Sequence, residues 1–378
     1  MDGKMSKTPH CIEILKEGLA AGAYPSATVA VGRGHKIYLC EVMGNRHTQP
    51  KPTKAKKNTL YDLASLTKLV APTMIALRLI EEGKLLLSDP LSRFFTSEEL
   101  ENAPEGRAGV TVFQLMTHTS GITPHMALWS PPPSAEASPE SFVPPEATPT
   151  PEKAIKAILS SPPVCKPGEQ VYYSCMGYIL LGKILERLTG KPLDVLAGTM
   201  VFQPLGMKHT TYLPTKKKNV AATEFSSIRK DYICGEVHDE NAHFLGGVSA
   251  NAGVFSTVGD MSLFAMMLAE RGKCAGGRFL HPRIFDLAVT NYTPGLAEAR
   301  GLGFQLKPPL PGLSAMGDLM TEGSYGHTGF TGTSLYVDAQ SGLWGVLLTN
   351  AVHFGRDKVE FFRFRRRFYN AIVTDDFN

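Results

Sequence analysis

The chain is expected to fold as an α/β (α+β) protein, with an antiparallel sheet flanked by N- and C-terminal helices and a mainly helical domain inserted into it. Three observations lead there. β-rich runs lie near both ends, "SATVAVGRG" and "KIYLCEVMG" at one and "GTSLYVDAQSGLWGVLLTN" at the other. In the middle, apolar residues recur at three- and four-residue spacing, as in "MGYILLGKILERLTG". Amphipathic segments stand outside the strands at both termini. One sheet built from both ends, around a helical insertion, joins these with the fewest crossings. The division expected is 1–62 and 223–378 for the sheet domain and 63–222 for the helical domain, with the functional site between them.

In chain order, residues 9–22 read as a helix ended by Gly22 and Pro25. The two runs that follow form a hairpin punctuated by Gly32, Gly34 and Gly44. "TKLVAPTMIALRLIEEGK" is a helix stopped at Gly83. Pro72 inside it has no N–H, which leaves the carbonyl of Lys68 unpaired and predicts a bend there. "VTVFQLMTHTSGI" is a short helix and turn, and residues 124–151, crowded with Pro, Ser and Glu, form a loop. "MGYILLGKILERLTG" and "DMSLFAMMLAERG" are helices closed by Gly190 and Gly272. Two strands meet at a turn over Ala339–Gly342, and a last helix follows with Val359, Phe362, Tyr369 and Ile372 among its apolar positions.

The composition excludes several classes. A chain of 378 residues, 43% hydrophobic and 20% charged, is globular. A net charge of +4 is too small for a nucleic-acid partner, and "KPTKAKK" and "RFRRRF" read as solvated surface. No run of about 18 apolar residues implies a membrane span. The polar start, with no apolar h-region behind it, predicts a cytoplasmic protein. Cys11, Cys40, Cys165, Cys175, Cys234 and Cys274 are scattered without CxxC spacing, so they are expected to be reduced thiols that bind no metal.

Three stretches carry chemistry. In "DLASLTKLVAP", Ser65 and Lys68 are three residues apart and share a helix face, which suits a nucleophile and a base. A lysine base needs its pKa, ordinarily about 10.4, lowered by burial or nearby positive charge. The spacing alone fits a capping serine and a surface lysine better than a catalytic pair. In "VYYSCMGYILLG", Tyr173 is either a core residue or a phenol that relays a proton. In "YGHTGFTGTSLYVD", His327-Thr328-Gly329 leads into a strand, and Gly329 and Gly332 would let a ligand lie against its edge.

Together, in this order and spacing, these stretches resemble the three motifs of serine β-lactamases and penicillin-binding proteins. The likeness is greatest to the class C β-lactamase-like group, which includes esterases and D-amino-acid peptidases. "HTSGI", "SDPLSRFF", "FQPLGMKHTTY" and "VHDENAHFLGGVSANAGVFSTVGDMSLFA" are further landmarks. The resemblance implies the β-lactamase/transpeptidase-like fold and a role for each matching position. Ser65 would be acylated, Lys68 would take or relay its proton, and Tyr173 would serve the leaving group and the deacylating water. His327 would hold that network and meet a substrate carboxylate or oxygen, and the amides of Ser65 and Phe330 would form the oxyanion hole. Thr328, Gly329 and Cys175 would line the substrate, and Trp129 and Phe142 are possible walls of the pocket. No cofactor is implied. His238, Asp239 and Asn241 are expected to shape the loop beside the site.

Two departures bear on the substrate. The second motif ends in Cys175, where the family usually has asparagine, and a thiol is a weak hydrogen-bond partner. The third begins with histidine in place of lysine, so carboxylate recognition should be weaker and pH-sensitive. The expectation is therefore a serine hydrolase of small carboxylic esters or amides. The alternatives are a β-lactamase or D-alanyl-D-alanine carboxypeptidase and, of another class, a non-catalytic ligand-binding relative.

Overall fold

The computed structural model describes residues 8–129, 150–215, 217–227, 230–312 and 314–377. A seven-stranded sheet runs in the order Gln305–Leu306, Tyr325–Gly329, Thr333–Val337, Leu343–Thr349, Ser26–Arg33, Lys36–His47, Thr53–Lys54. Every pairing in it is antiparallel. The two ends of the chain meet where Ser26–Arg33 pairs with Leu343–Thr349, with Ala27 opposite Thr349.

Alternation along the strands divides the core in two. Val29, Val31 and Leu347 pack under the helices His10–Ala20 and Val359–Thr374, against Ile14, Leu15, Phe361, Phe368 and Ile372. Ala30, Val346 and Leu348 face the other way, towards the helix Val258–Ala269 with Met261, Phe264 and Leu268. Side chains two apart share a sheet face, so one strand serves both layers. In the terminal helix, Val359 and Phe362 are exposed and Phe361, Phe364 and Phe368 are buried. Of the apolar positions expected, Tyr369 and Ile372 are thus buried and Val359 and Phe362 are not, and Arg365 lies on the buried side.

The helices Met74–Glu81, Val112–Met116, Pro151–Ser160 and Cys175–Thr189 share the larger core cluster with residues of the sheet. Gly190 ends the last of these at φ 67°, in the left-handed region. Around Pro72 the expected bend takes a specific form. Ala64–Leu66 is a 3₁₀ turn and Leu69–Thr73 a π turn, and regular α-helix begins only at Met74. A ladder missing one donor is accommodated by local widening. Among the described residues no helix is long and apolar enough to cross a membrane, and all six cysteines are free thiols.

Candidate active site

The serine turn is fixed from two sides. The Asp62 carboxylate accepts the amide N–H of Ala64 at 2.8 Å and that of His238 at 2.7 Å. Ala64 sits at φ 45°, a left-handed conformation that costs a non-glycine residue about 1–3 kcal/mol unless the surroundings hold it. From the sheet side, Thr331 Oγ1 donates to the carbonyl of Asp62 at 2.6 Å and Thr333 Oγ1 to that of Leu63 at 2.9 Å. A Cβ on Gly329 would lie 2.1 Å from the Leu63 carbonyl oxygen, and one on Gly332 would lie 2.2 Å from Thr349 Oγ1. Both glycines therefore make room for neighbouring protein atoms and not, as the sequence predicted, for a ligand.

Lys68, fully buried, donates from Nζ to three acceptors: Ser65 Oγ at 3.2 Å, Cys175 Sγ at 3.4 Å and the carbonyl of Asn251 at 2.8 Å. An ammonium has three protons, and each has a destination. Burial acts to lower the Lys68 pKa, but its interactions with the neighbouring Cys175 and Tyr173 side chains oppose it, and the net shift is upward. The expected depression of this lysine is corrected accordingly: the side chain rests as an ammonium. Burial raises the Tyr173 phenol, and Lys68 acts against that rise. The Tyr173 ring lies 5.0 Å from Lys68 Nζ.

His118, at φ 59° in the "HTSGI" turn, brackets this tyrosine. Its carbonyl accepts the N–H of Tyr172 at 2.9 Å, its Nδ1 accepts that of Ser174 at 3.1 Å, and its ring lies 4.6 Å from that of Tyr173. Burial and the charges of Arg300 and Lys68 hold His118 well below the usual histidine range. His327 is also neutral. Burial first, then Arg300 and Lys68, push it down to about 3. Its Nδ1 donates to the carbonyl of Thr328 at 2.7 Å, which leaves Nε2 as an acceptor. The expected pH-sensitive carboxylate recognition by His327 is therefore corrected: a buried, neutral imidazole offers a lone pair and no charge. The rings of Tyr173 and His327 are 5.9 Å apart; His327 Nε2 is buried with no hydrogen-bond partner among the described residues, and Tyr173 Oη, buried beside Lys68 and Ser65, makes no well-formed hydrogen bond to either.

Two groups here were not anticipated. Arg300, almost fully buried, places its guanidinium carbon 5.3 Å from the Tyr173 ring centroid and pairs with Glu298. Asn251 supplies the carbonyl that holds Lys68, and its side chain donates to Asp239 at 3.0 Å and accepts from Ser249 Oγ at 2.6 Å. No local spacing links either residue to Ser65.

The remaining expected residues are placed as follows. Cys175 opens the helix Cys175–Thr189 with its sulfur on Lys68. Thr328 is half-buried, and Phe330, in the turn after Gly329, is exposed. Asp239 caps a helix by accepting the Ala242 N–H, His238 pairs with Glu224 at 2.7 Å, and Asn241 holds the carbonyl of Met126 and the amide of Leu128. Trp129, next along the chain, is half-buried, and Phe142 lies outside the described residues, as does most of the 124–151 loop.

Comparison with known proteins agrees with this fold. An N-acetylmuramyl-L-alanine amidase of Bacillus subtilis (strain 168) is 30% identical in an alignment 367 residues long that covers 90% of this chain and 80% of that one. Two solved structures share the fold. EstCE1, a hydrolase with promiscuous acyltransferase activity, superposes with a TM-score of 0.73 at 21% identity over 96% of this chain and 97% of its own. The octameric penicillin-binding protein homologue from Pyrococcus abyssi gives 0.70 at 24% identity over 90% and 73%. Residues 12–367 match the family model described as Beta-lactamase, and the chain belongs to that family.

Proposed function

We propose that the protein is a serine hydrolase that forms an acyl-enzyme on Ser65 with small carboxylic esters or amides. The observation that carries this reading is the 3.2 Å contact of Lys68 Nζ with Ser65 Oγ, beside a phenol that makes no well-formed hydrogen bond and an imidazole nitrogen with no partner among the described residues. Because Lys68 rests as an ammonium, Tyr173 is the base, acting as phenolate with Lys68 offsetting its charge. Ser65 Oγ bonds to the carbonyl carbon as its proton passes to Tyr173 Oη. The amides of Ser65 and Phe330 hold the resulting oxyanion, a contribution worth about 10²–10³ in rate per donor. The bond to the leaving group breaks as that group takes the proton from Tyr173. Water, deprotonated in turn by Tyr173, then adds to the acyl carbon, and the bond to Ser65 Oγ breaks as Tyr173 returns the proton to Oγ, which releases the acid and restores the site. His327 Nε2 accepts from the phenol or from a substrate N–H or O–H, and Thr328 and Gly329 flank that position.

Esters are placed ahead of amides because Cys175 stands beside Lys68, where an asparagine would both donate and accept. Amide hydrolysis is the second reading, and the name of the Bacillus relative favours it. The free thiols support a reducing, cytoplasmic setting, and the site is taken to lie between the sheet domain and the helical domain. The test is intact-mass analysis after exposure to a fluorophosphonate, followed by rates on p-nitrophenyl esters, nitrocefin and a D-alanyl peptide. Labelling of Ser65 with ester turnover supports the proposal. An unlabelled parent, indistinguishable from its Ser65→Ala variant, leaves a binding protein instead.

A further inference from the structure

Lys358 occupies a position at which an ammonium has much against it. It is 6% exposed and stands at the N-terminal end of the helix Val359–Thr374, where the helix dipole disfavours positive charge. Arg365 lies on that helix, and Arg356 precedes it. Burial and these two guanidinium groups lower its pKa to about 8, with Glu224 the one group acting the other way. Among the described residues no carboxylate pairs with its nitrogen. What it touches is Phe330: Nζ donates to the Phe330 carbonyl and lies 3.2 Å from the centre of the Phe330 ring. The Phe330 ring stacks at 5.8 Å with His238, which Glu224 holds. One residue is thus gripped at its carbonyl by Lys358 and at its ring by Lys358 and His238, although that ring is exposed.

We propose that Lys358 is a positioning residue for the oxyanion hole: by holding Phe330 at its carbonyl and its ring, it fixes the residue's backbone so that the N–H of the preceding peptide unit points at the developing oxyanion. This rests on the serine-hydrolase reading above. Gly329, on the near side of that amide, has no side chain to orient the turn, and the serine turn packs against it from below. The grip on Phe330 therefore comes from the far side. A side chain that acts only through the geometry of an oxyanion donor changes turnover and leaves ground-state binding nearly unchanged.

The experiment measures kcat and KM on p-nitrophenyl acetate for the parent, Lys358→Met and Lys358→Arg, each normalised to Ser65 titrated with a fluorophosphonate. The expected result is a fall in kcat of about ten-fold or more for Lys358→Met, part of the loss known for a missing oxyanion donor. KM should stay within about two-fold, and Lys358→Arg should recover most of the rate. Lys358→Met turnover within two-fold of the parent overturns the inference. So does a loss that Lys358→Arg fails to recover and that tracks a lowered Tm, which would make the lysine merely structural. A parent whose Ser65 never takes up the phosphonate overturns the hydrolase reading, and this inference with it.

Discussion

The guanidinium of Arg300 lies over the ring of Tyr173, 5.3 Å from its centroid. Arg300 is also the second-largest cause, after burial, of the low pKa of His327. Removing it by Arg300→Met should have two effects. Loss of a cation–ring contact worth about 0.5–2 kcal/mol should lower turnover about 2- to 30-fold. His327 should titrate higher than about 3, because a positive neighbour is gone, and still below 6.5, because burial remains. NMR titration of the imidazole gives the second effect directly. An unchanged His327 would show that Arg300 is screened from the site.

The pH dependence follows from Tyr173. Burial raises its phenol above the ordinary value of 10.0, and Lys68 only partly offsets that rise, so the phenolate is a minor species at neutral pH. kcat/KM on an ester should therefore climb with pH through the mildly alkaline range. Lys68→Met removes the largest influence opposing burial. The limb should then shift to higher pH, and the rate at pH 8 should fall by about 10²–10⁴. Tyr173→Phe should abolish the limb. A parent profile that is flat or falling there would rule out the phenolate as the base.

Much of this is legible in the sequence. Glycines mark helix ends at Gly83, Gly190 and Gly272, and alternation marks the strands, because both signals are local. The motif serine, lysine, tyrosine and histidine each lie in a short recognisable stretch. Arg300 and Lys358 do not. Arg300 lies 127 positions beyond Tyr173, and Lys358 lies 28 positions beyond Phe330. Each acquires its place only when the sheet closes. The state of Lys68 also depends on two acceptors from distant segments, Cys175 and Asn251, and nothing in its spacing from Ser65 reports either. Gly329 and Gly332 were visible as glycines, but whether protein or ligand approaches them is a tertiary fact.

Gly329 gives the third prediction. An added Cβ would lie 2.1 Å from the Leu63 carbonyl oxygen and 2.2 Å from Thr333 Oγ1. Backbone cannot yield as a flexible side chain does, so Gly329→Ala must push the strand away from the serine turn. Overpacking of this kind costs about 1–3 kcal/mol. Urea unfolding should show that loss, and phosphonate labelling of Ser65 should slow in the fraction that remains folded. Labelling at the parental rate would mean that the turn keeps its geometry without this contact.

The last prediction concerns stability in the helical part of the chain. Glu99 binds Arg187 through both oxygens, at 2.5 Å to one nitrogen and 2.8 Å to the other. Arg187 belongs to the helix that begins at Cys175, so the pair ties the far end of that helix to the 96–99 turn. The hydrogen bond from Arg187 is the largest influence on Glu99, whose pKa falls from 4.5 to about 2. A depressed carboxylate stabilises the fold above its unfolded pKa, and the contribution disappears as pH falls through the folded one. Glu99→Gln should therefore destabilise the protein at pH 7, by about 1–2 kcal/mol once partial solvent screening is allowed for. The difference from the parent should shrink steadily below about pH 4.5, as linkage requires. Urea unfolding of both proteins at pH 7 and pH 3 measures it. A penalty equal at the two pH values would assign the effect of Glu99 to packing and not to charge.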